Sequence, residues 1–281
     1  MLDITRLKIL SETSEMLRAA CVSVVAMIAA SAAMALAGTP DGKALAAAAM
    51  ALIAGALVVQ VYWAVRQSRR SDERRRQAAS DAEEHYAQVL YRIMNFVEAR
   101  DQYWSGHSER VAKLTEHLAR RMGLDEAMCR KLHMAGRLHD IGMIAMPEDL
   151  IKRNALLGVD DYRRLMPHSQ ISYDVLKPMT LLTDVLGAVK HHHERMNGTG
   201  YPDGLAGAEI PLSARILAAA DAYDAMTHDR PQRRAMTAGG AIAELRRCSP
   251  AGYDRAVVDA LADIINVTML ENRPAPVAVE D

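Results

Sequence analysis

Two long uncharged stretches near the beginning of the chain form its strongest hydrophobic pattern. Ala19–Ala37 has 19 residues without a charge and Ala44–Val65 has 22. At about 1.5 Å per residue, helices of these lengths would be roughly 28 and 33 Å long, which matches the hydrocarbon thickness of a bilayer. Residues 38–43, between them, have the composition of a turn. The pattern predicts a transmembrane hairpin over residues 19–65, and the alternative is a soluble hairpin of Ala-rich helices.

The distribution of positive charge predicts how this hairpin is oriented. The turn between the stretches carries one lysine beside one aspartate, whereas six arginines follow the second stretch: Arg66, Arg69, Arg70, Arg74, Arg75 and Arg76. Cytoplasmic flanks of membrane spans are enriched in Lys and Arg. We therefore expect the chain after residue 65 to be cytoplasmic, together with the N-terminal segment 1–18. Three widely separated cysteines offer no disulfide framework, which fits a reducing compartment.

Residues 66–99 are predicted to form a basic, helical linker. The apolar residues between Tyr86 and Val97 recur at helical spacing, which favours an amphipathic helix. Such a helix is either a dimeric coiled coil that joins the membrane segment to the next domain or the packed first helix of that domain. Both interpretations remain open from the sequence.

From residue 100 onward the periodicity predicts helices almost throughout, and aromatic residues make up only 4% of the chain. The irregular segment Glu194–Ile210 is rich in Gly, Pro and Asn, and residues 271–281 are expected to be disordered. The fold class is therefore predicted to be all-α. The expected helical runs are Ser108–Met122, Glu126–Leu138, Asp160–Met166, Ser169–Leu176, Leu181–His192, Pro211–Met226, Ala238–Arg247 and Asp254–Leu270.

The histidines carry the clearest chemical signal. Nine of the ten lie between His107 and His228, and His139 is followed directly by Asp140. Imidazoles and carboxylates are ligands for zinc, iron and manganese. One carboxylate can bridge two metal ions roughly 3.5–4 Å apart, and such a pair activates water for attack on a phosphoryl group. A net charge of −1 is untypical of dedicated nucleic-acid-binding proteins, so DNA is not an expected partner.

The residues 139–142 (HDIG) and 192–205 (HHERMNGTGYPDGL) resemble the two signatures of the HD-GYP family. That family comprises bacterial cyclic di-GMP phosphodiesterases within the all-helical HD superfamily. Further similar segments follow the family's order: 100–103, 106–108, 166–168, 210–216, 221–227 and 229–231. The resemblance covers about residues 86–270. It implies an HD-GYP phosphohydrolase domain at 100–270, attached to the inner membrane of a bacterium by the two predicted spans.

The resemblance also implies a binuclear metal site with two divalent ions, iron or manganese in this family. His139 and Asp140 would be central to catalysis. Some family members hold a third metal through a glutamate, but Tyr103 stands at that position, so a third site is not expected. The seven ligands implied by matching positions are His107, His139, Asp140, His168, His192, His193 and Asp221. His191, the first histidine of the triple run, is expected to be a non-ligand neighbour.

For the substrate, the resemblance implies hydrolysis of cyclic di-GMP to pGpG, with GMP as a further product. Arg230 and Arg233 match positions where the family places cations against the dinucleotide, although Arg233 and Arg234 also fit a solvated basic patch. A guanidinium suits phosphate because it donates two parallel hydrogen bonds. Gly200, Tyr201 and Pro202 lie in a loop that shapes the site in this family and contacts protein partners. A homodimer is expected.

Three positions depart from the family pattern. Met143 stands where a lysine commonly follows HDIG, and a thioether neither neutralises developing charge nor donates a proton. Lys152 or Arg153 is a candidate to compensate. Asn154 and Ala155 replace a usual Pro-Gly, and Asn197 replaces a usual aspartate. Two further hypotheses therefore stand beside the enzyme: a weakly active cyclic di-GMP receptor, and a phosphohydrolase of the HD superfamily acting on another nucleotide.

Overall fold

A computed structural model describes residues 25–32, 34–35, 40–100, 103–151, 158–230 and 233–271. Within these ranges the chain is helical and contains no β-strand, only two isolated bridges, one of which joins Asn197 to Ala206. The predicted all-α class is confirmed. Of the predicted disordered tail at 271–281, residue 271 is helical, and the other ten residues lie outside the described residues, as do the compensating candidates Lys152 and Arg153.

Ten α-helices and three 3-10 helices have bounds in the described part of the chain. The α-helices are α1 (Pro40–Glu98), α2 (His107–Arg121), α3 (Glu126–Leu138), α4 (Glu148–Ile151), α5 (Val159–Leu165), α6 (Pro167–Leu176), α7 (Leu186–His191), α8 (Leu212–Thr227), α9 (Ala238–Cys248) and α10 (Arg255–Glu271). The 3-10 helices are Ile141–Ala145, Thr180–Val185 and Gly207–Glu209.

Helix α1 is continuous over 59 residues and corrects one prediction. The segment 38–43 was expected to be a turn, but the helix already begins at Pro40. Proline is favourable in a first helical turn, because its missing N–H would have no partner there and its φ is preset. Of the first predicted span, only residues 25–32 and 34–35 are described, and they are helical.

One helix in the described ranges is long and apolar enough to cross a membrane. It covers Gly42–Glu98 and contains an 18-residue window with a mean hydropathy of 2.3, none of it buried within the protein. This length and composition agree with the second predicted span, but they are weak evidence by themselves. The two-span arrangement stays a prediction.

The chain divides into two compact units, residues 1–79 and residues 80–281. In the second unit, the last turns of α1 contribute Ala87, Leu90, Met94 and Val97 to the buried core. Their spacing of three and four residues places them on one helix face. This burial favours the interpretation of residues 80–98 as a packed helix of the unit that carries the histidines.

Helices α2, α3 and α8 pack against one another and bring the candidate ligands together. Gly136 permits the close approach of α2 and α3, because a Cβ there would lie 2.7 Å from the Cα of Ala112. The 3-10 helix Ile141–Ala145 packs against α6. In that contact, a Cβ at Gly142 would lie 2.1 Å from the backbone oxygen of His168. Glycine at both positions is thus required by packing.

Candidate metal centre

Most candidate ligands lie at the ends of helices. His107 is the first residue of α2, and His139 and Asp140 directly follow α3. His168 lies in the first turn of α6, and His192 follows the end of α7. Side chains from the ends of four separate helices therefore converge on one point. The remaining two predicted ligands are His193, next to His192, and Asp221 in the middle of α8.

Three of the histidines have the same local support. The Nδ1 atoms of His139, His168 and His192 are 2.8, 2.7 and 2.7 Å from the carbonyl oxygen three residues earlier in the chain. Nδ1 must be the donor in such a contact, because a carbonyl oxygen can only accept. This assignment leaves the lone pair on Nε2 for the site in each case. A backbone partner of this kind is what commonly orients metal-bound histidines.

Asp140 lies between two groups of histidines and is only 7% exposed. Its Oδ2 is 3.3 Å from Nε2 of His139 and 4.0 Å from Nε2 of His107. Its other oxygen, Oδ1, is 3.3 Å from Nε2 of His168 and 3.7 Å from Nε2 of His192. Each carboxylate oxygen therefore faces its own pair of imidazoles. This division is the geometry that a bridging carboxylate requires.

Donor atoms gather into two groups that share Asp140. One group has His107 and His139, and the other has His168, His192 and His193, with all donor atoms of a group within 4.8 Å of one another. Asp221 adjoins the first group, since its Oδ1 is 3.4 Å from Nε2 of His107. The structure thus brings together all seven residues that the sequence singled out. Their role as ligands stays a prediction.

The unpaired atoms of the cluster fit divalent metal ions. Nε2 of His139, Nε2 of His192 and Oδ1 of Asp140 are buried and have no hydrogen-bond partner. Buried polar atoms in native proteins almost always have a partner, and leaving them unpaired is costly. Several such nitrogen and oxygen atoms directed at one another match the preferences of iron, manganese or zinc.

Carboxylates and burial act on the ionisation of the cluster in opposite directions. Burial by itself lowers the pKa of His107, but hydrogen bonds to Asp221 and Asp224 outweigh it and raise this pKa to about 10. At His192 and His193, by contrast, burial is the dominant effect and lowers the pKa of each imidazole. Although burial disfavours its charge, the neighbouring His139 holds the pKa of Asp140 well below its usual range. Metals bind neutral imidazoles and ionised carboxylates, so metal binding at His107 would require loss of the proton that its raised pKa favours.

Asp224 is a functional residue that the sequence analysis did not single out. Its Oδ2 is 2.8 Å from Nδ1 of His107, and it also accepts hydrogen bonds from Arg110 through Nε at 2.7 Å and Nη2 at 3.0 Å. The carboxylate therefore orients His107 in the way that backbone carbonyls orient the other histidines. Its position three residues after Asp221, on the same helix face, was the available signal.

The irregular loop after the double histidine is held by Glu194, which is buried. Its Oε1 accepts hydrogen bonds from the backbone N–H groups of Asp203 at 2.7 Å and Gly204 at 3.0 Å. Gly200 passes so close that a Cβ there would lie 2.4 Å from the Cα of Glu194. The loop therefore folds back onto the histidines that precede it.

Tyr201, the central residue of the GYP triplet, packs into the site. Its side chain is only 8% exposed, and its ring centroid is 4.8 Å from that of His193. Burial raises its pKa, which keeps the phenol neutral. Pro202, the next residue, is exposed. Of the predicted loop residues, Tyr201 thus touches the histidine cluster, and Pro202 lies at the surface.

The other predicted residues belong to neither group of donor atoms. Arg230 and Arg233 follow α8 and pair through their backbones, and the Arg233 side chain donates to the carbonyl of Ala225 at 2.9 Å. Nε2 of His191 is 2.9 Å from Oδ2 of Asp203. Met143 is 5% exposed and belongs to the apolar core.

Comparison with known proteins agrees with this architecture. The chain matches the family described as "HD domain" over residues 92–257, and it belongs to that family. The cyclic di-GMP phosphodiesterase response regulator RpfG of Xanthomonas campestris is 36% identical over 184 residues, covering 65% of this chain and 49% of that protein. A cyclic di-GMP phosphodiesterase of Thermotoga maritima is 33% identical over 181 residues, covering 62% and 49%.

Other relatives have a different nucleotide in their names. The 3'3'-cGAMP-specific phosphodiesterase 1 of Vibrio cholerae is 36% identical over 154 residues, covering 55% of this chain and 36% of that protein. An HDG"Y"P protein from Bdellovibrio bacteriovorus has a similar fold, with a TM-score of 0.51 at 18% identity and coverage of 66% and 64%. The matched region spans about half the length, or less, of these curated relatives. The resemblance to HD-GYP proteins is confirmed at the level of the family.

Proposed function

We propose that this chain is a metal-dependent phosphodiesterase that opens cyclic di-GMP to the linear dinucleotide pGpG, with GMP as the product of a second hydrolysis. The observation that carries this proposal is the position of Asp140, whose two oxygens face separate pairs of histidines. Two divalent ions, iron or manganese, would be held on either side of it. Relatives with cyclic dinucleotide phosphodiesterase in their names support the substrate class.

The residues of the chain divide the work of this reaction. The two divalent ions, when bound, would supply activated water and neutralise charge on phosphoryl oxygens. Asp140 and His139 hold the centre of the site, while Asp224 and Arg110 keep His107 in its orientation. The proposed ligands are His107, His139, Asp140, His168, His192, His193 and Asp221. Arg230 and Arg233 would bind the phosphates or a guanine edge, since a guanidinium forms paired hydrogen bonds with either.

The loop 200–202 contributes to the shape of the same site. Because the Tyr201 ring lies against His193, the loop covers one side of the second ligand group and limits the access of solvent there. Gly200 makes this possible by letting the backbone pass Glu194. Contact with a protein partner is proposed for the exposed part of the loop, where Pro202 lies.

A hydrolysis assay with several nucleotides tests the proposed function. The full chain, purified in detergent and loaded with Mn²⁺ or Fe²⁺, would be incubated with cyclic di-GMP, 3'3'-cGAMP and cyclic di-AMP, and products separated by chromatography. We expect pGpG from cyclic di-GMP and no product from an Asp140→Ala variant. Preferential cleavage of 3'3'-cGAMP would favour a second candidate function, a phosphohydrolase of the HD superfamily that acts on another nucleotide. The Vibrio cholerae relative named as specific for 3'3'-cGAMP supports this candidate.

Met143 supports a third candidate, a receptor that binds cyclic di-GMP without rapid turnover. In place of the lysine expected from the family pattern, an apolar side chain packs in the core. Binding of cyclic di-GMP to the metal-loaded chain without formation of pGpG would refute the enzyme hypothesis and support the receptor hypothesis.

A bacterial inner-membrane location with a cytoplasmic catalytic domain is part of the proposal. The proposed domain organisation is an N-terminal segment 1–18, spans at 19–37 and 44–65, a linker at 66–99 and the HD-GYP domain at 100–270. Reporter fusions after residue 76 should be active in the cytoplasm, and the full chain should sediment with membranes.

A homodimer is proposed as well, because Tyr86, Val89 and Phe96 form an exposed apolar stripe on α1. Sedimentation of the detergent-purified chain as a monomer would exclude it.

A further inference from the structure

The buried carboxylate of Glu98 is directed at the backbone on both sides of His107. Glu98 is the last residue of α1 and is 2% exposed. Its Oε1 accepts a hydrogen bond from the backbone N–H of Ser108 at 2.6 Å, and its Oε2 accepts one from the N–H of Gly106 at 3.0 Å. Glu98 is not among the candidate ligands, so its burial serves something other than direct metal binding.

Helix α2 needs this carboxylate because it has no cap of its own. The first N–H groups of a helix have no partner within it, and a Ser, Thr, Asp or Asn at the N-cap position usually supplies one. The N-cap residue of α2 is Gly106, with φ of 72° and no side chain to accept a bond. A negative charge at a helix N-terminus is also favourable. Glu98 provides both from eight residues earlier.

We propose that Glu98 is a positioning residue for His107 and that it links the end of α1 to one of the two metal sites. This inference rests on the proposed metal-dependent function. His107 has two supports: Asp224 holds its ring at Nδ1, and Glu98 holds its backbone. Loss of the backbone support allows the first turn of α2 to shift, and Nε2 of His107 moves relative to its partners.

The effect of Glu98 is confined to one side of the centre. His168, His192 and His193 lie on α6 and after α7, and the first two have their own backbone carbonyls as supports. None of these contacts involves the start of α2. A change at Glu98 therefore lowers the metal affinity of the group formed by His107 and His139. It leaves the metal affinity of the group formed by the other three histidines unchanged.

Helix α1 contains a matched control for this experiment. Glu83 accepts hydrogen bonds from the backbone N–H groups of Thr180 at 3.3 Å and Leu181 at 2.8 Å, at the start of the 3-10 helix Thr180–Val185. This carboxylate thus caps a helical segment in the same manner, but the segment carries no candidate ligand. Glu83→Gln and Glu98→Gln remove the same charge from the same kind of contact on the same helix.

The test is a calorimetric titration of the full chain in detergent with Mn²⁺ alone, together with thermal melting of each variant. We expect Glu98→Gln to weaken one of two binding steps by about tenfold, as is typical for loss of a residue that supports a ligand. The other step should be unchanged. Glu98→Asp keeps two acceptor oxygens and should recover part of the loss. Glu83→Gln should leave both steps as in the wild type.

Two results would overturn the inference. One is a Glu98→Gln chain that binds both ions as the wild type does. The other is an equal loss of metal affinity in Glu83→Gln, because the effect would then come from general destabilisation. Hydrolysis of cyclic dinucleotides, measured in parallel, reports separately on the proposed function. If the wild type binds two ions but cleaves no dinucleotide, the proposed function is refuted. The positioning role of Glu98 is still decided by the titration.

Discussion

The carboxylate of Asp224 should set the strength of metal binding beside His107, and Asp224→Asn tests this role with little change of shape. Asparagine keeps one carbonyl acceptor for Nδ1 of His107 but removes the negative charge that lies 2.8 Å from it. A neutral hydrogen bond contributes about 1 kcal/mol and a charge-assisted one roughly twice as much or more. Loss of the charge should therefore cost about 1–2 kcal/mol of metal binding, which is about 5- to 30-fold in affinity.

The assay is the affinity of the full chain for Mn²⁺, resolved into its two binding steps. We expect one step to weaken in Asp224→Asn, because His107 is the candidate ligand that contacts this carboxylate; the other histidine beside it, His228, is not a candidate ligand. Asp259→Asn serves as the control, since Asp259 also accepts hydrogen bonds from two arginines, Arg246 and Arg255, but from no histidine. Wild-type affinity in both steps of Asp224→Asn would refute the reasoning. So would an equal loss in the Asp259 variant.

Three further predictions concern metal, turnover and packing. Asp140→Ala should remove most of the bound metal and abolish hydrolysis, whereas His191→Ala should retain at least half of each; comparable metal loss in both would show that the triple histidine was assigned wrongly. Met143→Lys should raise kcat by up to about 10²–10³-fold, the usual effect of one electrostatic donor, with metal content unchanged; because Met143 is packed in the apolar core, the folded fraction of the variant is measured by thermal melting, and an unchanged or lower kcat per folded chain contradicts the prediction. Gly142→Ala should lower the free energy of unfolding in denaturant titrations by about 3 kcal/mol, while Gly239→Ala, whose Cβ would meet nothing within 4 Å, should not; equal stability of the two variants would contradict the packing argument.

Much of the helical architecture follows from local sequence. Helix α3 was predicted at Glu126–Leu138 and has those bounds in the structure. Its start is encoded locally, because the Asp125 side chain accepts a hydrogen bond from the N–H of Met128 at 2.8 Å. The motifs also singled out seven side chains that the fold brings together. Helix α3 and its cap depend on residues close together in the chain, which periodicity describes well. The seven side chains, which extend from residue 107 to residue 221, were singled out through the family resemblance.

One expectation failed for a local reason, and one open alternative was decided by the tertiary core. Residues 38–43 have the composition of a turn, yet the helix begins at Pro40, since proline is compatible with a first helical turn. The apolar stripe at the end of α1 was compatible with a coiled coil or a packed helix. The burial of Met94 and Val97 in the core favours the packed helix. Periodicity could not decide this, because it shows that a face is apolar but not what covers it.

The sequence by itself determined the all-α class, most of the longer helices and the identity of the chemical groups. The tertiary structure decided how those groups are oriented, and it divides the expected helix Leu181–His192 into the 3-10 helix Thr180–Val185 and α7. His107 meets Asp224 across 117 residues of chain, and Glu98 reaches past an intervening loop to both sides of His107. Met143 is placed in the core, and Tyr201 against His193. These contacts exist because α2 packs between α3 and α8 and because the glycines at 136, 142 and 200 let backbones approach closely. Such contacts depend on how distant helices pack, which no local pattern of polar and apolar residues encodes.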